Sequence, residues 1–289
     1  TPLHVAALQR NVEEVKRLCI SGASIDALDE NRNTPLNLAC LKGYDSVVEV
    51  LVNYGAVKNI KEQYEKTALH NACEGGNIKV INILTSAGWV IEARDDKGFT
   101  ALLWASQLGE MEIIKELIKL GADIHARTNN ESNCLHTACG GGSNEAVKYF
   151  LDKNYFGLED KNKNGRTALA IASRKGHVEV VKTLLSSGAL IESKDKLGQT
   201  ALVVASGKGH VEVVKTLLSA GALIESKDEK QEHRFQFMNK KYDQTVKDCF
   251  LYPQGGFTAL LAASQFGKME IVKELIKLGA DIHARTNQE

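Results

Sequence analysis

The chain has 289 residues, 43% of them hydrophobic and 25% charged, so it can bury a sizeable core at an ordinary globular charge density. Its 36 Lys plus Arg are balanced by 36 Asp plus Glu, a zero formal charge that argues against a dedicated nucleic-acid binder or an acidic tail. No apolar run approaches the roughly 18 residues of a membrane span, and three prolines with 6% aromatics point to a mostly helical chain of modest side chains.

The first expected helix opens at Thr1-Pro2-Leu3-His4. Thr1 can cap it by accepting a backbone hydrogen bond, and Pro2 sits in the first turn, where a missing N–H costs nothing. The same opening returns at Thr34-Pro35-Leu36, Thr67-Ala68-Leu69-His70, Thr100-Ala101-Leu102, Asn133-Cys134-Leu135-His136, Thr167-Ala168-Leu169, Thr200-Ala201-Leu202 and Thr258-Ala259-Leu260. The steps are 33 residues, except one of 34 into Thr167 and a last one of 58. The third column is always Leu and the sixth always Ala, from Ala6 to Ala263. This i, i+3 pair lies on one helix face, and the small Ala admits a neighbouring helix closely. A glycine follows this helix at Gly43, Gly109, Gly176, Gly209 and Gly267.

A second helix comes next, as in Gly209-His210-Val211-Glu212-Val213-Val214-Lys215-Thr216-Leu217-Leu218. Val214, Leu217 and Leu218 are expected to form its apolar stripe, and Glu212 with Lys215 an exposed i, i+3 ion pair. Glycines such as Gly22, Gly55, Gly188 and Gly221 stand as helix C-terminal residues. A polar stretch such as Ile191–Gly198 completes each period.

A Thr-Pro-Leu-His-x-Ala motif on a 33-residue period resembles the ankyrin-repeat family. The resemblance covers almost the whole chain in eight copies. It implies an all-α solenoid of stacked antiparallel helix pairs with projecting β-hairpin-like finger loops. The expected organisation is a single array over 1–289, with repeats starting near 1, 34, 67, 100, 133, 167, 200 and 258. One unit cannot bury its faces alone, so neighbours must stack. The chain begins inside a repeat and stops inside a finger, and Lys115–Asn129 recurs unchanged as Lys273–Asn287, so no specialised cap closes the eighth copy. A fragment of a longer polypeptide is therefore expected.

Two copies are irregular. The fifth has 34 residues and reads Asp152-Lys153-Asn154-Tyr155-Phe156-Gly157 at its helix end. The seventh carries 25 extra residues as an inserted loop at 229–256, which holds Phe235, Phe237, Tyr242, Phe250 and Tyr252. The insertion reads either as a docking loop presenting these rings, or as a disordered excursion or translated non-coding sequence.

No catalytic, cofactor-binding or metal site emerges. His4, His70 and His136 share a column in alternate repeats, on the order of 20 Å apart if neighbouring pairs pack about 8–10 Å apart, too far to share a zinc ion. By resemblance, this His hydrogen-bonds between loops. The six cysteines, Cys19, Cys40, Cys73, Cys134, Cys139 and Cys249, include no Cys-x-x-Cys pair and read as free thiols packed in a core. Gly140-Gly141-Gly142 follows a helix rather than the strand a phosphate loop requires. Glu192 and Glu225 are expected to be solvated finger carboxylates.

Binding is the remaining function. The resemblance implies a non-enzymatic protein–protein interaction scaffold that docks partners on the concave face of finger tips and first-helix ends. The alternative is a targeting or regulatory arm of a larger enzyme, channel or ubiquitin-ligase adaptor whose active part lies outside the chain. Positions matching that face are Arg174, Lys175, Lys194, Lys196, Lys208, Lys227 and Lys230, extended by Lys161 and Lys163. They form an expected basic stripe that could steer an acidic segment of a partner protein. Trp104, Gln107 and Leu108 fall on the first helix of the fourth copy, where a partly exposed Trp is either a hot spot or core packing. The expectation is a monomer of the cytoplasm or nucleus that binds other proteins and uses no metal, membrane span or nucleic acid.

Overall fold

The computed structural model describes residues 1–58, 60–61, 63–225 and 258–281. The insertion at 229–256, Lys227 and Lys230 lie outside the described residues. The chain divides into two compact units, Thr1–Ala146 and Val147–Glu289.

In the first unit the period becomes helix pairs: α1 (Pro2–Leu8) with α2 (Val12–Ile20), α3 (Pro35–Leu41) with α4 (Asp45–Asn53), α5 (Ala68–Glu74) with α6 (Ile78–Ser86), and α7 (Ala101–Leu108) with α8 (Met111–Lys119). The first helix of the fifth pair, α9 (Cys134–Gly141), follows, and the boundary between units falls within its second, α10 (Asn144–Asp152). The second unit continues with α11 (Ala168–Lys175) and α12 (Val178–Ser186), α13 (Ala201–Lys208) and α14 (Val211–Ser219), and α15 (Ala259–Gln265) and α16 (Met269–Lys277). First helices pack on neighbouring first helices, α1 on α3, α3 on α5, α5 on α7 and α7 on α9, and again α11 on α13 and α13 on α15. Second helices form a parallel layer in the same way. Among the described residues the fingers are turns rather than strands.

The two invariant columns explain this stacking. Every Leu of the third column and every Ala of the sixth is buried, from Leu3 and Ala6 to Leu260 and Ala263. Apolar area is thus removed from water only where a neighbour covers it. Caps fix the helix starts: Thr34 Oγ1 accepts from Asn37 N–H at 3.1 Å, and Asn133 Oδ1 from His136 N–H at 3.0 Å. On the second helices the buried stripe differs by one residue from expectation. Val213, Val214 and Leu217 are buried in α14, while Leu218 is only half-buried. Around the helix Leu217 lies between Val213 and Val214, whereas Leu218 lies at the margin of that face. The Glu212–Lys215 pair forms as expected, at 3.0 Å.

The short second helices need an abrupt stop. At Gly221 the backbone turns left-handed with φ +92° and Ala222 N–H reaches back to Leu217 O at 3.0 Å. In the irregular fifth copy Asn154 takes that position with φ +53°, which Asn tolerates better than most residues. Phe156 is then buried against Phe150, ring centroids 5.8 Å apart.

Candidate partner-binding surface

Four described fingers are shaped by one side chain at their base. Asp95 Oδ1 accepts from Lys97 N–H at 2.9 Å and Phe99 N–H at 2.8 Å, while Asp95 N–H donates to Phe99 O at 3.0 Å. Asp29 and Asp195 repeat the arrangement, and Asn162 Oδ1 does the same for Asn164 and Arg166 N–H. These are Asx turns, in which a short polar side chain replaces the partner a strand would supply. Fingers then join each other through the backbone. Asp96 N–H donates to Tyr64 O at 3.1 Å and Asn129 N–H to Lys97 O at 2.9 Å in the first unit; Lys196 N–H donates to Asn164 O at 2.9 Å in the second.

The histidine column ties the helix starts to the next finger. His4 Nε2 donates to Asn33 O at 2.9 Å, and His70 Nε2 to Phe99 O at 2.9 Å, each the residue just before the following cap. Thr67 N–H donates to His70 Nδ1 at 3.1 Å, so the proton resides on Nε2 and the ring is neutral. Burial, the main cause, holds the His70 pKa below the usual value, with Lys66 and Lys61 adding to it against the Phe99 carbonyl and Asp95. The unfolded chain therefore takes up a proton at about pH 6.5 while the folded chain resists it until lower pH, so stability falls as pH drops below about 6.5. We expect the urea midpoint of the native chain to fall more steeply on acidification than that of His70→Gln; equal pH slopes would contradict this role.

Glu192 and Glu225 require a correction. They are not merely solvated: Glu192 Oε1 accepts from Leu223 N–H at 2.9 Å and Glu225 Oε1 from Asp281 N–H at 3.0 Å. Glu92 binds Asp123 N–H at 2.9 Å and Glu159 binds Leu190 N–H at 2.8 Å. The physical reason is that the N–H two residues beyond each helix-ending glycine points out of the turn, and a carboxylate of the preceding repeat lies within reach.

The residues expected to bind partners fall into two groups. In the first unit Trp104 is half-buried and packs against its own repeat and the preceding finger. Its Nε1 donates to Asp95 Oδ2 at 3.0 Å, its ring meets Phe99 at 5.3 Å, and Lys66 Nζ lies 4.3 Å from its centroid. Gln107 is half-buried and Leu108 exposed. In the second unit Lys175, Lys196 and Lys208 are exposed, and Arg174 and Lys194 half-buried. Lys161 Nζ donates to Lys194 O at 2.9 Å, bracing two fingers. Arg174, Lys175 and Lys208 come together, and so do two residues that sequence reasoning missed, Arg166 and Lys268. Arg174 first, then partial burial, Arg166, Lys268 and Lys175, push the Lys208 pKa down. Lys268 was missed because it opens a second helix, yet its Cδ lies 2.9 Å from where a Cβ of Gly209 would stand.

The described thiols are buried. Burial raises the pKa of Cys134 to about 12 and that of Cys73 and Cys139 further, leaving them protonated. Among the described residues no group of three or more His, Cys, Asp or Glu converges as a metal site, and no helix is long and apolar enough to cross a membrane.

A family model described as ankyrin repeats (3 copies) matches residues 1–62, 57–128, 112–195, 135–228 and 192–286. The chain belongs to the ankyrin-repeat family. Its fold is similar to the human ASB11 ankyrin repeat domain at TM-score 0.65 and 27% identity, over 76% of this chain and 97% of that one. It is also similar to the ankyrin repeat domain of Bcl-3, described as a unique member of the IkappaB protein family, at TM-score 0.58 and 32% identity, over 76% of this chain and 98% of that one. No curated protein matches the chain. Ankyrin repeats are protein–protein interaction modules, generally without catalysis of their own. In this chain the Asx turns shape single fingers, while the histidine column and the carboxylate column join neighbouring repeats.

Proposed function

We propose that this chain is a non-enzymatic scaffold that binds partner proteins on the face made by its finger turns and first-helix ends. The observation that carries this reading is the finger interlock. Backbone bonds from Asp96 to Tyr64, Asn129 to Lys97 and Lys196 to Asn164 fix the fingers before any partner arrives. A surface so held loses little conformational entropy on binding. Lys194 and Lys196 stand on one such finger, and the charge of a partner segment would be steered by them.

The test is affinity capture with the full chain and with Lys194→Glu/Lys196→Glu. Both side chains lie on the surface of a finger turn, Lys196 exposed and Lys194 half-buried, so the melting curve should stay within about 0.5 kcal/mol of the native one. Capture of acidic partners should fall severalfold. Unchanged capture, or loss through unfolding alone, would remove the finger from the binding surface.

A further inference from the structure

Beyond the finger, the second unit gathers cations at the end of α13. Lys208 closes that helix, Arg174 and Lys175 close α11, and Lys268 lies across Gly209. Arg166 also faces the cluster, but Asp195 holds it at 3.2 Å, with 1% of the Asp195 side chain exposed. Among the described residues, Lys175, Lys208 and Lys268 have no carboxylate within salt-bridge distance. Of the acids on the neighbouring second helices, Glu179 pairs with Lys182 and Glu212 with Lys215, while Glu270 and Glu274 of α16 act on Lys215. Lys175, Lys208 and Lys268 are therefore held near one another and near Arg174, and the depressed pKa of Lys208 reports that cost.

An apolar side chain stands beside this cluster, against the residue that precedes Lys208. Phe266 is 54% exposed, and its ring edge lies 3.4 Å from the Cβ position of Gly207, the residue before Lys208. Glycine there leaves a shallow step for the ring. The exposure is a property of the column rather than of the last repeat, because Leu108, Lys175 and Lys208 are exposed at the same position in interior repeats. An exposed ring beside these cations offers an apolar contact next to positive charge.

We infer that Lys175, Lys208, Lys268 and Phe266 form a docking site for an acidic peptide segment that carries an apolar side chain between its carboxylates. The inference rests on the scaffold reading above and names the chemistry of one partner. The carboxylates relieve the repulsion at Lys208, and the apolar side chain packs on the exposed Phe266 ring. A nucleic acid fits less well: its affinity comes from many phosphates contacted in a row, and these cations are confined to the ends of two first helices and the start of one second helix.

The experiment is fluorescence anisotropy on the full chain. The probes are a labelled glutamate-rich peptide with two central leucines, the same peptide with serines for the leucines, and a single-stranded oligonucleotide of equal charge. The leucine peptide should bind most tightly, and more weakly as salt rises. Lys208→Glu/Lys268→Glu should weaken it about tenfold or more, whereas Lys182→Glu/Lys215→Glu, of equal net charge, should not. Phe266→Ser should weaken the leucine peptide and leave the serine peptide unchanged. Circular dichroism melts check that each variant is folded. Equal affinity for native and Lys208→Glu/Lys268→Glu protein overturns the site, and so does oligonucleotide binding as tight as that of the leucine peptide. If these peptides fail while Lys194→Glu/Lys196→Glu still abolishes capture, the scaffold reading stands and this site alone falls.

Discussion

Gly141→Ala is expected to lower the stability of the first unit by about 1–3 kcal/mol. The sign is the informative part, because alanine in place of a helical glycine ordinarily stabilises by about 1 kcal/mol. Gly141 lies in the last turn of α9, and a Cβ there would stand 1.7 Å from Gln107 O and 2.7 Å from its carbonyl carbon. That obstacle is the backbone of α7, which cannot rotate aside, so α7 and α9 must separate. Separation exposes Leu102, Ala105, Leu135 and Ala138, the two invariant columns of both repeats. Gly75, whose Cβ would stand 2.3 Å from Cys40 O, repeats the situation between α3 and α5. The measurement is the urea midpoint of the variant against the native chain. A midpoint that stays or rises would show that first helices are not in close contact at this column.

Asp195→Ala should cost about 3 kcal/mol. The carboxylate accepts from Leu197 N–H at 2.8 Å and Gln199 N–H at 3.1 Å, and holds the Arg166 guanidinium of the preceding repeat at 3.2 Å. Removing it opens the finger turn and strands a guanidinium whose side chain is only 17% exposed. Asp195→Asn separates the two effects. Asn162 already makes the same turn with an amide oxygen, so the turn should survive and only the Arg166 pair be lost. The cost of Asn should therefore be clearly smaller than that of Ala. Equal midpoints for the two variants would mean that the ionic pair, not the turn, carries the stabilisation.

Much of this architecture is legible in the sequence, because a repeated brick writes its requirements in columns. Leu3 and Ala6 recur in every copy since each must fill the same gap against a neighbour. The loop-joining role of the histidine column came only from the resemblance to ankyrin repeats, and His4 and His70 fill it through Asn33 and Phe99. The carboxylate column was equally regular, yet Glu192 and Glu225 read as solvated, since regularity alone does not distinguish an exposed acid from one that holds the next repeat's N–H. The signal that could have found them is their spacing, two residues short of one period before an exposed N–H that follows a helix-ending glycine. Lys268 and Phe266 were less accessible still. Their neighbours Gly209 and Gly207 lie more than fifty residues earlier, across the insertion at 229–256, and only the packed helices bring them together. Trp104 was readable as ambiguous and is so physically: its indole serves Asp95 while its ring stays half-open beneath Lys66.

The account assigns the columns two separate duties: Leu, Ala, His and the Asx residues hold repeats together, while finger tips and first-helix ends meet the partner. Hydrogen exchange of the chain, alone and with a captured partner, tests that division most directly. Added protection should appear in the second unit at the finger tip around Lys194–Gly198 and at the helix ends Arg174–Gly176 and Gly207–Gly209. Protection confined to the second helices Val178–Ser186 and Val211–Ser219 would contradict it.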